Sequence, residues 1–276
     1  LVGRADIQGA VALNSASMNA SRVVGPILGG AVAALGGAPL VFIVNGATYG
    51  FVILALMTAQ ADFSPSGPRK ESPLRQLAGG LREARSDRVI ARVLLTIAVY
   101  SLFSLVFIYQ MPKIAAEQFG LEGWRYTMLF ATFGLGAFSG AVSMGSWLSR
   151  YERPTMVRIG LGVFAVALTA FAHAGNAWVG FPAVFVAGAS YFVIVTALIT
   201  ILQLRVHDEV RGRVKGLWMM AWAGLVPVGG LLGGIVIDAT TMSAVLLGGA
   251  AVAALLAVVV NLREPAAEPE TQQSVA

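Results

Sequence analysis

Long uncharged stretches alternate with short polar connections along this 276-residue chain. A helix that crosses the hydrocarbon core of a bilayer needs about 20 apolar residues, and these stretches have that length. Glycine, proline and asparagine, which favour turns, stand between them. The pattern predicts eight membrane-spanning helices, at residues 9–35, 40–60, 90–111, 126–148, 156–173, 178–202, 214–237 and 242–262.

The composition supports an all-α membrane protein. Hydrophobic residues make up 57% of the chain and charged residues 12%, and the mean hydropathy is +0.76. A soluble domain carries about 25% charged residues. The chain has no cysteine and only two histidines, which lie far apart, so we expect no disulfide, no metal and no cofactor.

The basic residues indicate how the chain is oriented in the membrane. Of the 19 Lys and Arg, 16 fall in one set of alternate connections; Lys113 and Arg125 fall in the opposite set, and Arg22 lies inside the first span. Cytoplasmic loops carry the excess of Lys and Arg. We therefore expect both ends of this chain in the cytoplasm, and we attribute the positive net charge to topology rather than to binding of nucleic acid.

The first span contains the run Gly25-Pro26-x-x-Gly29-Gly30, one helical turn after Arg22. Proline removes an amide donor and glycine weakens a helix, yet membrane helices tolerate both. Small residues also let a neighbouring helix approach closely. The run therefore predicts a bent helix that packs tightly against another.

The seventh span repeats the glycine spacing of the first at an offset of 204 residues. Two such spans are equivalent only if the repeating unit contains six helices. Four spans would then be absent from the N-terminal side, and the whole would have six plus six helices, as secondary transporters do. The paired glycines are Gly25, Gly29 and Gly30 with Gly229, Gly233 and Gly234.

This repeat divides the chain into four parts. Residues 1–61 are the last two helices of a first half, and residues 62–89 form a cytoplasmic linker. Ser72-Pro73 and the spaced leucines of the linker predict an amphipathic helix there. Residues 90–263 are a complete six-helix half, and residues 264–276 are expected to be a disordered cytoplasmic tail.

Short motifs are spread over nearly the whole chain. They are Asp6, Asn14, Asn19, Arg22, Gly25-Pro26-x-x-Gly29-Gly30, Phe42, Asn45, Leu81-x-x-Ala84 with Asp87, Gln203, and Asp208-Glu209-x-Arg211-Gly212-Arg213. Together they resemble the major facilitator superfamily, and within it the enterobactin-exporter-like branch. That family has twelve helices in two halves, so the resemblance implies that this chain holds helices five to twelve and lacks the first four.

Two departures from the family pattern bear on function. Ala12 and Ser21 stand where the fuller form of the Gly-Pro motif has glycine, but both are small, so the packing interpretation holds. The connection from Gly145 to Arg153 resembles the family's cytoplasmic Gly-Asp-Arg motif without its Asp, which leaves a gating role for this connection open.

Arg22 is the first candidate for coupling or gating. A charge in the hydrocarbon is costly unless it is paired or hydrated, so such a residue is a functional candidate by default. It needs a carboxylate partner, which would lie in the absent helices; the alternative is an arginine that reaches the membrane surface. Asn19 and Asn45 either line the substrate pathway or form hydrogen bonds between helices.

Aromatic residues suggest a site for a large amphipathic or aromatic substrate. Tyr100, Phe103 and Phe107 recur at helical spacing in span three, and Trp222 lies in span seven. By the resemblance, family helices seven and ten line the central cavity, and the latter carries Tyr191 and Thr196. Ordinary packing or lipid contact is the alternative for each.

A charged cluster lies between spans six and seven. Such a cluster can form ion pairs that close a cytoplasmic gate in one state and break in another. A solvated loop that only sets the topology is an equal alternative. The cluster consists of Asp208, Glu209, Arg211 and Arg213.

These patterns favour a secondary transporter over an enzyme, because no nucleophile–base pair or phosphate loop is present. Gly134, Gly136 and Gly140 lie inside a span and are interpreted as helix-packing residues. By resemblance, the protein is expected to be a proton-coupled exporter of a drug-like or siderophore-like molecule. It would act as a monomer in the bacterial inner membrane, in contact with lipid. The alternatives are a facilitator or importer of the same fold, a non-transporting scaffold, and a nonfunctional fragment.

Overall fold

The computed structural model describes residues 28–29, 32, 35–36, 39–58, 73–121, 123–206 and 210–262. The described residues form eight helices of more than ten residues each. These are α1 (Pro39–Thr58), α2 (Pro73–Ser86), α3 (Arg88–Phe119), α4 (Thr127–Gly145), α5 (Arg153–Ala172), α6 (Ala177–Arg205), α7 (Arg211–Ala239) and α8 (Met242–Val259).

Seven of these helices, all except α2, are long and apolar enough to cross a membrane. They confirm predicted spans two to eight, and with them an all-α, multi-pass membrane protein. The predicted first span, 9–35, lies almost entirely outside the described residues. So does the run from Gly25 to Gly30, apart from Leu28 and Gly29, which are helical.

Several helices extend beyond the apolar stretches that predicted them. The third span was expected to end at 111, but α3 continues to Phe119 and ends at Gly120, whose φ of 61° is the left-handed conformation that glycine adopts readily. Likewise α6 continues to Arg205, and α7 begins at Arg211. A helix can extend past the hydrocarbon because its charged terminal residues reach the polar interface.

Helices α3 to α8 pack into one bundle. Helix α6 packs along both α4 and α5, α5 packs along α8, and α3 packs against α7 and α8. The ends of α3, α5, α6 and α7 at the face of Arg88 carry arginines, and this face is called the arginine-rich end below; these residues are Arg88, Arg153, Arg205 and Arg211. The largest fully buried side chains include Tyr100, Phe107, Phe164 and Phe171.

Glycines allow α4 and α6 to touch backbone to backbone. A Cβ added to Gly136 would overlap the carbonyl oxygen of Phe185, and one added to Gly140 would lie 2.5 Å from the carbonyl oxygen of Ala189. From the other side, a Cβ on Gly188 would overlap the carbonyl oxygen of Phe133. Small residues let membrane helices approach this closely. From the sequence, the glycines of α4 are interpreted as helix-packing residues, and this contact agrees with that interpretation.

The glycines of the seventh span make a second close contact, between α7 and α3. A Cβ on Gly229 would overlap the carbonyl oxygen of Leu102, and one on Gly233 would overlap the side chain of Val106. The spacing that suggested the repeat therefore has a packing role in α7. Gly29 of the first copy has open space around it in the described part of the chain.

Each of these two helices contains one π turn, at Tyr100–Ser104 in α3 and at Met220–Gly224 in α7. The two turns lie against each other. The ring of Pro227 would clash with the carbonyl of Ala223 in a regular helix, and the π turn that contains Ala223 relieves this clash. Both helices are thus irregular at about the same depth.

Helices α1 and α2 differ from the bundle helices. No residue of α1 is buried among the described residues, and its large apolar side chains are exposed. Helix α2 packs against the start of α7, where a Cβ on Gly80 would lie 3.1 Å from the carbonyl oxygen of Arg213. Arg82 and Arg85 of α2 are exposed.

Candidate functional site

A cavity of about 500 Å³ lies between α4, α6 and α7. None of the described residues that line it has a charged side chain. Its lining consists of aromatic and small aliphatic residues together with the hydroxyl-bearing Tyr191 and Thr196. The aromatic lining residues are Phe130, Phe133, Phe138, Tyr191, Phe192 and Trp222.

The structure brings together three of the residues proposed from the sequence as a substrate pathway. Tyr191 and Thr196 come from α6, and Trp222 comes from the π turn of α7. All three are half-buried, so their side chains can meet a ligand. The ring of Tyr191 packs on that of Phe133 with centroids 5.5 Å apart, which fixes the wall of the cavity on one side.

Two other proposed residues lie behind this wall. Phe107 is buried, with its ring centroid 5.7 Å from that of Phe133 and 5.9 Å from that of Phe164. Tyr100 is also buried, and its ring makes an edge contact with Phe164 at 5.1 Å. These residues support the cavity through Phe133 and Tyr191 rather than line it. This is the packing alternative that the sequence left open.

The remaining pathway candidates lie elsewhere. Phe103 is half exposed on α3 and is not part of the cavity lining. Asn45 is exposed on α1, where its backbone carbonyl accepts a hydrogen bond from the Thr48 hydroxyl at 2.6 Å. Asn19 and Arg22 lie outside the described residues, as do Gly25, Pro26 and Gly30 of the Gly-Pro run, so their proposed roles stay predictions.

Helix α4 contributes residues to the cavity that the sequence interpretation missed. Phe130, Phe133 and Phe138 alternate with the small residues Gly134, Ala137 and Ala141 at spacings of three and four. Such spacing places them on one helix face. This periodicity could have indicated the cavity from the sequence, because large rings next to small residues on one helix face make a concave surface.

Two hydroxyl groups at the π turn of α3 are buried without a partner among the described residues. They are those of Tyr100 and Ser101. A buried hydroxyl without a hydrogen bond costs about 1–3 kcal/mol. The adjacent Ser104 is satisfied, since its hydroxyl donates to the carbonyl of Gly249 at 2.8 Å.

An ion pair joins α3 and α6 at the arginine-rich end. The Nε of Arg205 lies 2.5 Å from the Oδ2 of Asp87, and the Oδ1 of Asp87 accepts from the backbone N–H of Val89 at 2.7 Å and of Ile90 at 3.2 Å. Burial raises the pKa of Asp87, but the hydrogen bonds from Arg205, Ile90 and Val89 and the Arg205 charge outweigh it, so the pKa falls below its ordinary value. The carboxylate therefore stays ionised near neutral pH.

The proposed cytoplasmic gate is only partly within the described residues. Asp208 and Glu209 lie outside them, whereas Arg211 and Arg213 form the first turn of α7. The side chain of Arg213 lies over Gly79 of α2, so this end of α7 contacts the linker helix. The role of these four residues as a gate stays a prediction.

The opposite end of the bundle has a second ion pair. The Nζ of Lys113 on α3 lies 3.1 Å from the Oδ1 of Asp238 on α7, and both side chains are more than one-third exposed. Exposed pairs contribute little to stability. Helix α3 is thus paired with α6 at one end and with α7 at the other.

Comparison with known proteins identifies the family. The family model described as "transmembrane secretion effector", part of the major facilitator superfamily, matches residues 1–276. The chain belongs to this family. The resemblance inferred from the sequence motifs is therefore confirmed.

The chain is also similar to curated exporters. It is 27% identical over 222 residues to the enterobactin exporter EntS of Escherichia coli O1:K1 and, equally, to that of Shigella boydii serotype 18. Each match covers 79% of this chain and 52% of the relative. The chain thus spans about half the length of the curated relatives it matches.

A solved structure shares the fold. The fucose:proton symporter FucP of Escherichia coli, in a variant with one substitution, matches with a TM-score of 0.58 at 16% identity. The match covers 80% of this chain and 54% of the symporter. This identity is low, so the similarity supports the major facilitator fold alone. Together with the family, it identifies this chain as a multi-pass membrane protein of the major facilitator superfamily.

Proposed function

We propose that the protein is a secondary active transporter that exports a small organic molecule of drug or siderophore type from the cytoplasm. The observation that carries this proposal is the uncharged, aromatic cavity between α4, α6 and α7. A pocket with many rings and few polar groups suits a large amphipathic or aromatic ligand. The similarity to enterobactin exporters supports the same substrate class and direction.

Alternating access is the proposed mechanism. In the proposed arrangement of two six-helix halves, the halves would face each other across the cavity, and rocking of the halves would open it to each side in turn. The π turns of α3 and α7 lie against each other and are suited to bending, because their hydrogen-bond pattern is already irregular. Trp222 lies in one of these turns, so bending there would change the shape of the cavity.

Proton antiport is the proposed energy source. Among the described residues, the lining of the cavity includes neither a carboxylate nor a histidine. We assign the proton-coupling role to Arg22, paired with a carboxylate. The protein would act as a monomer in the bacterial inner membrane, with the arginine-rich end in the cytoplasm and without a nucleic-acid partner.

Flux in everted membrane vesicles tests the proposal, with the protein expressed from its complete gene. The probes are ethidium and enterobactin. Export predicts uptake of a probe into these vesicles only when an imposed proton gradient is present, and its collapse by a protonophore. Uptake without a gradient would indicate a facilitator. Loss of preloaded probe from the vesicles would indicate an importer, and absence of flux for both probes would favour a non-transporting role.

A further inference from the structure

A second cavity lies on the outside of the bundle, at the arginine-rich end. It has a volume of about 320 Å³ and lies where α5 begins and α8 ends. Unlike the aromatic cavity, it has polar and charged groups in its wall. The lining includes Pro154, Thr155, Arg158, Ala257, Val260 and Asn261.

Arg158 is held in place at this cavity. Its Nε donates a hydrogen bond to the backbone carbonyl of Ala257 at 2.9 Å. Ala257 is in the last turn of α8, where carbonyls have no partner within the helix, so the bond satisfies a group that would otherwise be unpaired. Arg92 makes the equivalent contact from α3, with Nη1 2.8 Å from the carbonyl oxygen of Asn261.

The described contact of Arg158 uses only Nε, so its terminal nitrogens can bind a ligand in the cavity. A guanidinium matches the paired oxygens of a phosphate group. Among the described residues, Arg150, Arg153 and Arg92 lie at this end, and the acidic Glu152 and Asp87 lie there as well, Asp87 being paired with Arg205. The cavity is therefore suited to an anion.

An apolar groove continues from this cavity along the bundle surface. It has a volume of about 650 Å³ and lies between α5 and α6, and Ile159 lines both it and the charged cavity. Gly162 lies next along the groove, and a Cβ added there would meet no atom within 4 Å. Val163, Val166 and Ala170 follow on the same face of α5.

The length of the groove fits the tail of a lipid. From Ile159 to Ala170 the helix rises about 16 Å at 1.5 Å per residue. One leaflet of the hydrocarbon core is about 15 Å thick. The charged cavity lies at the helix ends, where headgroups are found, and the groove extends inward from it.

We infer that this cavity and groove form a binding site for one phospholipid with an anionic headgroup. The headgroup phosphate binds Arg158 beside Thr155, and one acyl chain lies in the groove over Gly162. Basic pockets between helices at a membrane surface bind such headgroups. The site is separate from the aromatic cavity and does not depend on the transport proposal.

Native mass spectrometry of the complete, detergent-purified protein tests this site. Phosphatidylglycerol and the zwitterionic phosphatidylcholine are added separately. We expect the wild type to retain one phosphatidylglycerol more tightly than any phosphatidylcholine. Glycerol phosphate, which has the headgroup anion without the chains, should not displace it. Equal retention of the two lipids, or displacement by glycerol phosphate, would overturn the inference.

Two variants with matched controls locate the lipid. Arg158→Gln and Gly162→Leu should each weaken retention about tenfold, the first by removing the phosphate contact and the second by filling the groove. Arg125→Gln, at the opposite end, and Gly248→Leu, where space is also open, should have no effect. Size-exclusion chromatography confirms that each variant is folded. Retention that is unchanged in either site variant, or reduced equally in its control, contradicts the assignment.

Discussion

Arg205, in the last turn of α6, is paired with Asp87, the N-cap of α3, at 2.5 Å. The pair connects α3 and α6 through two residues that are 118 positions apart in the sequence. The other carboxylate oxygen of Asp87, Oδ1, accepts hydrogen bonds from two of the backbone N–H groups that begin α3. One carboxylate therefore fixes both the start of a helix and its position against another.

Replacing Asp87 should destabilise the bundle more when both its ion pair and its capping hydrogen bonds are removed than when the ion pair alone is removed. Asp87→Ala removes both the cap and the ion pair and should cost about 1–2 kcal/mol, as loss of an N-cap does. Asp87→Asn keeps a capping oxygen but loses the charge, so it should cost less. Thermal unfolding in detergent at pH 7 measures both. An alanine variant as stable as the wild type would contradict the assigned role.

The contribution of Asp87 should depend on pH. Its pKa in the folded protein lies below the ordinary value of 3.8, so the stabilisation is complete above that value and is lost as the pH falls through the folded pKa. The stability difference between wild type and Asp87→Asn should therefore be constant from pH 5 upward and shrink in stronger acid. A stability difference between the two proteins that grows below pH 4 would contradict a lowered pKa of Asp87.

The contact between α4 and α6 should not tolerate a methyl group at Gly188. Since a Cβ there overlaps the carbonyl oxygen of Phe133, Gly188→Ala should cost about 1–3 kcal/mol. Gly248→Ala is the matched control because its Cβ would meet open space, and it should be neutral or slightly stabilising. Melting temperatures of the two variants give the comparison. Equal temperatures would mean that the helices are not in backbone contact.

The hydroxyl of Tyr100 should contribute nothing to stability. It is buried without a partner among the described residues, whereas the ring packs on Phe164. Tyr100→Phe should therefore be neutral or more stable by about 1 kcal/mol. Tyr100→Ala should cost about 3–5 kcal/mol, because it removes the ring from the core. Unfolding measurements that show a loss in the phenylalanine variant would reveal a hydrogen bond that this arrangement lacks.

Tryptophans in and outside the cavity should differ in their effect on transport. Trp222 lines the cavity, whereas Trp178 is 91% exposed on the outside of α6. Trp222→Ala should lower the rate of vesicle transport about tenfold, since a ring contact of 1.4 kcal/mol corresponds to that factor. Trp178→Ala should leave the rate unchanged at equal expression. Equal losses in both would assign the effect to folding.

The membrane spans were predictable because unpaired backbone groups and charges are costly in lipid. A long uncharged stretch therefore forms a helix, in which its backbone groups are hydrogen-bonded to each other. Close packing at Gly136, Gly229 and Gly233 was predictable for a related reason: small residues mark where membrane helices touch. These properties depend on local composition.

The cavity was only partly predictable, because it depends on which helix faces meet. The structure places Tyr191 and Thr196, expected from the family resemblance to face the central cavity, together with Trp222 in one lining, and their contact with a substrate stays a prediction. Tyr100, Phe103 and Phe107 would share a face in a regular helix, but a π turn runs from Tyr100 to Ser104, and in the structure Tyr100 and Phe107 are buried whereas Phe103 is half exposed. The residue pattern of α3 does not predict that π turn. The pairing of Asp87 with Arg205 likewise required the fold.

The most direct measurement for the aromatic cavity as a substrate site is protection of a single cysteine. This chain contains no cysteine, so Thr196→Cys introduces a thiol into the cavity, and Ser86→Cys at the arginine-rich end serves as the control. The ligand is whichever probe the vesicles transport. At about ten times its Kd, that probe should slow thiol labelling at position 196 about tenfold and leave position 86 unaffected. Labelling at position 196 that proceeds at the same rate with and without the probe would contradict the account.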